Sequence, residues 1–282
     1  MARRPRYALA LLAIAGNCLA AEPASAVTFE RITIPADAAR PGVPALSAFL
    51  ARPASTTPTP AIVALHGCSG LVGPQGVLLP IYRDWAERLV AAGYAVVFPD
   101  SFASRGLGAQ CTVKNRTIVP RDRAGDAAAA AVWLQSQMQI DAKRLALMGW
   151  SHGGSSTLST VRSSPAVAGA DFRAAIAFYP GCSGFARTPA WRPRLPLTIL
   201  MGADDDWTPA APCRELGQRE RVRYIQYPGA YHAFDHPNLP VRLRTGLTYS
   251  VKGDGIAHVG TNAAARAAAI LEVEKILAAA LK

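Results

Sequence analysis

Short, unbroken apolar runs recur along the chain and alternate with segments of helical pattern. Ala61–Leu65 (AIVAL) ends at His66-Gly67, Tyr94–Phe98 (YAVVF) ends at Pro99-Asp100, and Leu145–Gly149 and Ala174–Tyr179 follow; Pro196–Met201, interrupted by Thr198, and Val222–Tyr227, which carries Arg223 and Gln226, read as two more strands. A strand that is apolar at every position is buried on both faces, so it belongs to a mostly parallel sheet with helices on either side. The helices expected between these strands are Leu78–Ala92 (stopped by Gly93), Arg121–Met138, Gly153–Val161, Pro209–Gln218 and Asn262–Lys282. The last carries Ile270, Val273, Ile276, Leu277 and Leu281 on one face. Two further short strands, Val27–Pro35 and Ala45–Ala51, read as an antiparallel edge, and Ser101–Pro120 and residues 238–261 as irregular. The fold class is α/β. With 50% hydrophobic and 17% charged residues the chain is not disordered, and its 23 Gly and 22 Pro show no triplet period. No internal repeat or composition break divides it, so residues 27–282 read as one domain.

Residues 1–26 read as a leader. Arg3, Arg4 and Arg6 precede an apolar stretch, Tyr7–Ala15, about half as long as a bilayer span requires, and Ala24-Ser25-Ala26 has the small-x-small form of a cleavage site. The expectation is export to the periplasm or the medium, with cleavage after Ala26 and no stable membrane insertion thereafter. The net charge of +11 raises the possibility of an anionic polymer or lipid partner, but the basic residues are scattered, with no dense run and no interleaved aromatics. No nucleic-acid partner is expected. Cys18 leaves with the leader, and Cys68, Cys111, Cys182 and Cys213 remain, an even number suited to an oxidising compartment. Four cysteines allow three pairings. None has CxxC spacing, so neither a metal nor another cofactor is expected.

Gly149-Trp150-Ser151-His152-Gly153 falls where a strand ends and a helix begins. A serine in such a turn is pushed out above the sheet, and its flanking glycines let strand and helix approach. A serine hydroxyl needs a base, and the base needs a carboxylate to orient it. In a sheet of this kind the acid follows the serine in the chain and the histidine follows the acid. Asp204, Asp205 and Asp206 are the acids just beyond the Pro196–Met201 strand. Of His232, His236 and His258, His232 is favoured because it lies just beyond the Val222–Tyr227 strand. His152 is expected to point away from the serine, and His66 to shape the loop after the first central strand. Acyl transfer also needs donors for a developing oxyanion: the backbone N–H of His152 and, on the loop His66-Gly67-Cys68-Ser69-Gly70, that of Cys68.

The segments HGCSG, FPDSFASRG, GWSHGG, GADDDWTP and YPGAYHAFD together resemble the dienelactone hydrolase family, within the α/β-hydrolase superfamily, over most of residues 27–282. The resemblance implies an α/β-hydrolase fold and a hydrolase. The family's acid stands in a Gly-x-x-Asp-x-x-x-Pro frame that Gly202, Asp205 and Pro209 fill, which selects Asp205, and its histidine stands in an H-x-F segment matched by His232-Ala233-Phe234. The family nucleophile is cysteine where this chain has Ser151, and a family glutamate is missing from the HGCSG run. Of the two arginines that hold the family's substrate carboxylate, one is resembled by Arg105, shifted by one residue, and the other position holds His236. The resemblance also implies the pairings Cys68–Cys111 and Cys182–Cys213.

The resulting expectation is an exported serine hydrolase of small-molecule carboxylic esters. Ser151 is its nucleophile, Asp205 and His232 its acid and base, and the Cys68 and His152 amides its oxyanion donors. Arg105, Trp150, Tyr231 and Trp207 are candidate substrate contacts. A peptidase or a polyester or lactone hydrolase with the same three residues is the nearest alternative. A non-catalytic binding protein on the same fold is a more distant one.

Overall fold

The computed structural model describes Met1 and residues 27–37, 39–164, 166–169 and 171–282; the expected leader, Met1 aside, lies outside the described residues. The first half of the chain forms β1 (Glu30–Ile34), β2 (Leu46–Ala51), β3 (Thr59–Leu65), α1 (Pro80–Ala91), β4 (Ala95–Pro99), α2 (Pro120–Gln135) and β5 (Ile140–Trp150). The second half forms α3 (His152–Thr160), β6 (Ala174–Phe178), α4 (Ser183–Ala186), β7 (Leu197–Gly202), α5 (Ala210–Leu216), β8 (Val222–Tyr227), β9 (Arg242–Arg244), β10 (Ala257–Val259) and α6 (Ala263–Leu281).

Eight strands make one sheet in the order β1-β2-β4-β3-β5-β6-β7-β8. The β1–β2 and β2–β4 pairs are antiparallel, and every other pair is parallel. All five residues of β4 and β6, and all six of β7, are buried. This is the two-sided burial that their unbroken apolar runs require, and it is reached only with helices on both faces. Because β3 to β8 run in parallel, the loops that leave their C-terminal ends gather on one rim of the sheet, where ligands bind in open α/β folds.

Local chemistry sets the helix ends. Pro80 and Pro120 open α1 and α2, where a missing N–H costs nothing. The Asn262 side chain caps α6 by accepting the Ala265 amide at 3.0 Å. Buried Ala265, Ala269, Ile270, Val273, Leu277 and Leu281 then line the inner face of α6. Arg266 holds that helix to α1, with Nη2 2.7 and 2.6 Å from the two carboxylate oxygens of Asp84.

Two departures from the sequence expectations bear on the site. Strand β5 starts at Ile140 rather than Leu145, because Thr59 extends the β3 pairing as far as Ile140 across a register shift. Residues 238–261 are not wholly irregular. β9 and β10 pair antiparallel, Arg244 opposite Ala257 and Arg242 opposite Val259. This hairpin closes a second, smaller apolar cluster, in which Leu247, Ala257 and Val259 pack with Trp207, Cys68 and Cys111. Strands three residues long between glycine turns leave no periodic signal in a sequence.

Candidate active site

The tight turn between β5 and α3 presents Ser151 at φ 54° and ψ −114°, a backbone conformation that is strained for a residue with a Cβ. Its neighbours explain how the turn is tolerated. A Cβ on Gly149 would overlap the Gly153 carbonyl, and one on Gly153 would overlap the Leu65 carbonyl of β3. The turn is pinned by the Ser151 amide, which donates to the Phe178 carbonyl at 2.9 Å, and by the Ser155 amide, which donates to the Ser151 carbonyl at 2.8 Å.

Asp205 and His232 come from neighbouring loops, after β7 and β8, and meet at 2.8 Å between Oδ2 and Nδ1. The Asp205 carboxylate is further held by the amides of Trp207 (2.9 Å) and Thr208 (2.8 Å) on Oδ1 and by the Thr208 hydroxyl (3.0 Å) on Oδ2. A carboxylate so bonded is fixed in place and can orient the imidazole. The two loops lie back to back, since a Cβ on Gly202 would overlap the Ala230 carbonyl. The rings of Tyr179 and Trp207 pack against His232, with centroids 4.4 and 4.6 Å away. Ser151 and His232 line one cavity of about 630 Å³.

Among the described residues the amides of Cys68 and His152 donate to no protein acceptor, whereas that of Gly67 donates to the Tyr82 hydroxyl at 2.8 Å. His152 is the first residue of α3, where no preceding helical carbonyl is in reach. Its side chain turns away from Ser151, and Nδ1 faces Arg123 Nη1 at 2.9 Å. Burial, and then the Arg123 charge, push the His152 imidazole well below the usual histidine range, so it is neutral and Nδ1 accepts. His66 is likewise pushed down by burial and by Arg123, and its ring packs edge-on against Phe102 with centroids 4.6 Å apart. The Cys68 loop is tied down by a disulfide to Cys111, and a second disulfide joins Cys182 to Cys213 beside α5.

Of the three consecutive aspartates, Asp204 is exposed, Asp205 meets His232, and Asp206 meets His258 at 2.7 Å. Asp206 also accepts the His258 amide at 2.8 Å, and its own carbonyl accepts the Val251 amide at 2.8 Å. It therefore clamps the β9–β10 excursion to the acid loop. His236 lines the same cavity as Ser151, and its Nδ1 accepts the Asn238 amide at 3.2 Å.

Arg105 is not brought to the site. Its guanidinium forks onto Asp126 of α2 at 2.7 and 3.0 Å, and it lines a separate depression with Arg40 and Asp122. Asp126 is fully buried and needs that partner. Tyr231 does not line the cavity of Ser151; its ring stacks on His258 at 4.6 Å. Trp150 reaches the cavity wall but is almost wholly core, stacked on Phe178 at 5.5 Å.

Asp235 was not anticipated. It is completely buried, and it accepts Trp85 Nε1 and Trp150 Nε1, both at 2.8 Å, and the Tyr179 hydroxyl at 2.7 Å. Burial pushes its carboxyl upward, against the pull of those three donors. It joins α1, the end of β5 and the ring that backs His232. Its signal in the sequence was its place in the YHAFD segment. Among the described residues no group of three or more His, Cys, Asp or Glu side chains could hold a metal ion.

Residues 46–281 match the family model described as Dienelactone hydrolase family. The chain is 30% identical over 154 residues to Quorum-quenching protein AidA of Acinetobacter baumannii, a match covering 55% of this chain and 46% of that protein. It spans less than half the length of the curated relatives it matches. Its fold is that of the dienelactone hydrolase of Anabaena variabilis, with a TM-score of 0.60 and 16% identity over 91% of this chain and 100% of the other. It is also similar to Thermogutta terrifontis esterase 2, solved phosphorylated by paraoxon, with a TM-score of 0.57 and 17% identity over 87% of this chain and 91% of that one. The family model spans most of the chain and the strand order agrees with it: this chain belongs to the dienelactone hydrolase family of the α/β-hydrolase superfamily.

Proposed function

We propose that the protein is an exported serine hydrolase that cleaves carboxylic esters of small molecules through an acyl-enzyme. One observation carries this reading. Ser151, on its strained turn, opens onto the same cavity as a buried histidine whose far nitrogen is bonded to a fixed carboxylate.

Ser151 Oγ attacks the ester carbonyl carbon while His232 Nε2 takes its proton. The Cys68 and His152 amides, which have no other protein acceptor among the described residues, receive the carbonyl oxygen as it becomes an oxyanion. Collapse breaks the bond to the alcohol, and His232 delivers the proton to it. Water then attacks the acyl-serine along the same route in reverse and releases the acid. Asp205 holds His232 with Nδ1 protonated and stabilises the imidazolium that forms. Among the described residues Ser151 Oγ and His232 Nε2 share a cavity but no hydrogen bond, and in this mechanism they form it when substrate excludes water from the site. No helix among the described residues is long and apolar enough to cross a membrane. The two disulfides support an oxidising compartment.

The test is hydrolysis of p-nitrophenyl esters from acetate to long acyl chains by the oxidised protein and by Ser151→Ala. Activity on at least part of the series, reduced by a factor on the order of 10⁴ or more in the variant, is the expected result. Equal rates in the two proteins would overturn the serine mechanism.

A further inference from the structure

Ser151 does not sit at the bottom of a single pocket. Two cavities, of about 630 and 800 Å³, meet at it, and Cys68, Ser151 and Trp207 line both. The smaller runs toward β9, and the larger toward the 114–120 and 249–251 segments. An ester lying across Ser151 therefore has one chamber for each half.

Both chambers are cationic. The smaller is lined by Arg242 and Arg244, the larger by Lys114 and Arg116, and no described Asp or Glu lines either. Nor does any of these four side chains form an ion pair with a carboxylate among the described residues.

One arginine in each chamber is held in position. Arg244 Nη1 donates to the Ser69 hydroxyl at 3.1 Å, and its guanidinium lies 5.2 Å from the Trp207 ring centre. Arg116 Nε donates to the Gln110 carbonyl at 2.9 Å, and its guanidinium lies 5.3 Å from the Tyr249 ring centre. Each fixed fork keeps N–H groups free, and a planar fork matches a carboxylate. Partial burial without an acidic partner lowers the pKa of both Arg116 and Arg244, and an arriving anion would relieve that cost. These cations stand on other elements than Arg105, which is spent on Asp126.

We propose that the natural substrate is an ester that joins two acidic building blocks, with one carboxylate in the acyl half and one in the alcohol half. Each is received by the cation pair of its own chamber. The proposal rests on the esterase reading above. It explains why a cleft open on both sides of the nucleophile carries positive charge at both ends.

The experiment uses four aryl esters: 4-carbamoylphenyl hexanoate, 4-carboxyphenyl hexanoate, and the hydrogen adipate of each phenol. The carbamoyl compounds are the neutral controls. Each carboxylate is expected to raise kcat/KM about tenfold, the two gains multiplying, and 0.5 M salt to shrink both. Arg242→Gln/Arg244→Gln and Lys114→Gln/Arg116→Gln are read through the ratio of charged to neutral ester, so that a general loss of active protein cancels. Each double variant should abolish the gain for one half of the substrate and spare the other. Ser151-dependent hydrolysis with no preference for charge, or with both variants eroding both gains alike, overturns the two-carboxylate substrate and leaves the esterase reading intact. Failure to cleave any of the four overturns both.

Discussion

Two aspartate–histidine pairs stand side by side on the rim of the sheet, built from consecutive acids. Asp205 meets His232 at 2.8 Å, and Asp206 meets His258 at 2.7 Å. By geometry alone the pairs are equivalent. Their surroundings separate them. The His232 and Asp205 side chains are 4% and 0% exposed, whereas those of His258 and Asp206 are 38% and 27% exposed. Water competes for the second pair and weakens it. His232 faces the cavity of Ser151 between two aromatic rings, while His258 lies under Tyr231 and serves the β9–β10 hairpin. An oriented imidazole becomes a candidate base only where it is dry and shares a cavity with a nucleophile.

The largest effect that could break this distinction is the exchange of each carboxylate for its amide. Asp205→Asn is expected to lower kcat on a p-nitrophenyl ester by about 10⁴-fold while leaving the protein folded, since the amide favours the wrong His232 tautomer. Asp206→Asn should change kcat by less than about tenfold. Comparable losses in the two variants would show that the pairs act as one network.

A middle-sized effect comes from histidines that have no bonded carboxylate. His66 and His152 are buried beside Arg123, and burial holds both below the ordinary value of 6.5. Asp100 Oδ1 lies 3.7 Å from His66 Nε2, and the charge of Arg116 also bears on His152. A histidine whose folded pKa is depressed binds fewer protons folded than unfolded. The stability it confers is thus complete above pH 6.5 and lost as pH falls below it. Each contributes a slope of up to about 1.4 kcal/mol per pH unit in that window. Urea unfolding at pH 7.5 and 5.5 measures this slope, and His152→Gln should flatten it. An unchanged slope would mean that His152 protonates freely in the native state.

The smallest effect sharpens the comparison from the exposed side. His258→Ala removes a partly solvated pair, and a loss of about 1 kcal/mol or less is expected from its side chain in thermal unfolding. The change should show as faster amide exchange across residues 242–259 rather than as a lower kcat. A loss several times larger would mean that the hairpin is part of the cooperative core.

How much of this was legible in the chain follows from the same physics. Strands β4 and β6 and the apolar stretches of β3, β5 and β7 were readable because burial on both faces leaves few polar positions to obscure them, whereas the polar, partly exposed start of β5 was not. The Ser151 turn was readable because only glycine fits at positions 149 and 153. The order of acid and histidine narrowed the rest, and the family frame singled out Asp205. The hairpin was not readable, since its strands are three residues long. The pairing of Arg105 with Asp126 was not readable, because Asp126 lies in an alanine-rich helix where nothing marks it as buried. Asp235 was passed over beside the histidine it helps to position, because a sequence does not tell a buried carboxylate from a loop aspartate.

The wall between the two chambers has a consequence for how this protein can change. It is made of Cys68 and Trp207, and neither is a free position. Cys68 anchors a disulfide and offers an unpaired amide beside Ser151, and Trp207 packs on His232 and beneath Arg244. A mutation that widens one chamber at the wall would loosen His232 or the Cys68 loop in the same step. Selection for new substrates is therefore channelled outward, to β9 and to the 114–116 segment. There a side chain can be exchanged without disturbing the serine, and the lineage can drift in what it accepts while its chemistry stays fixed.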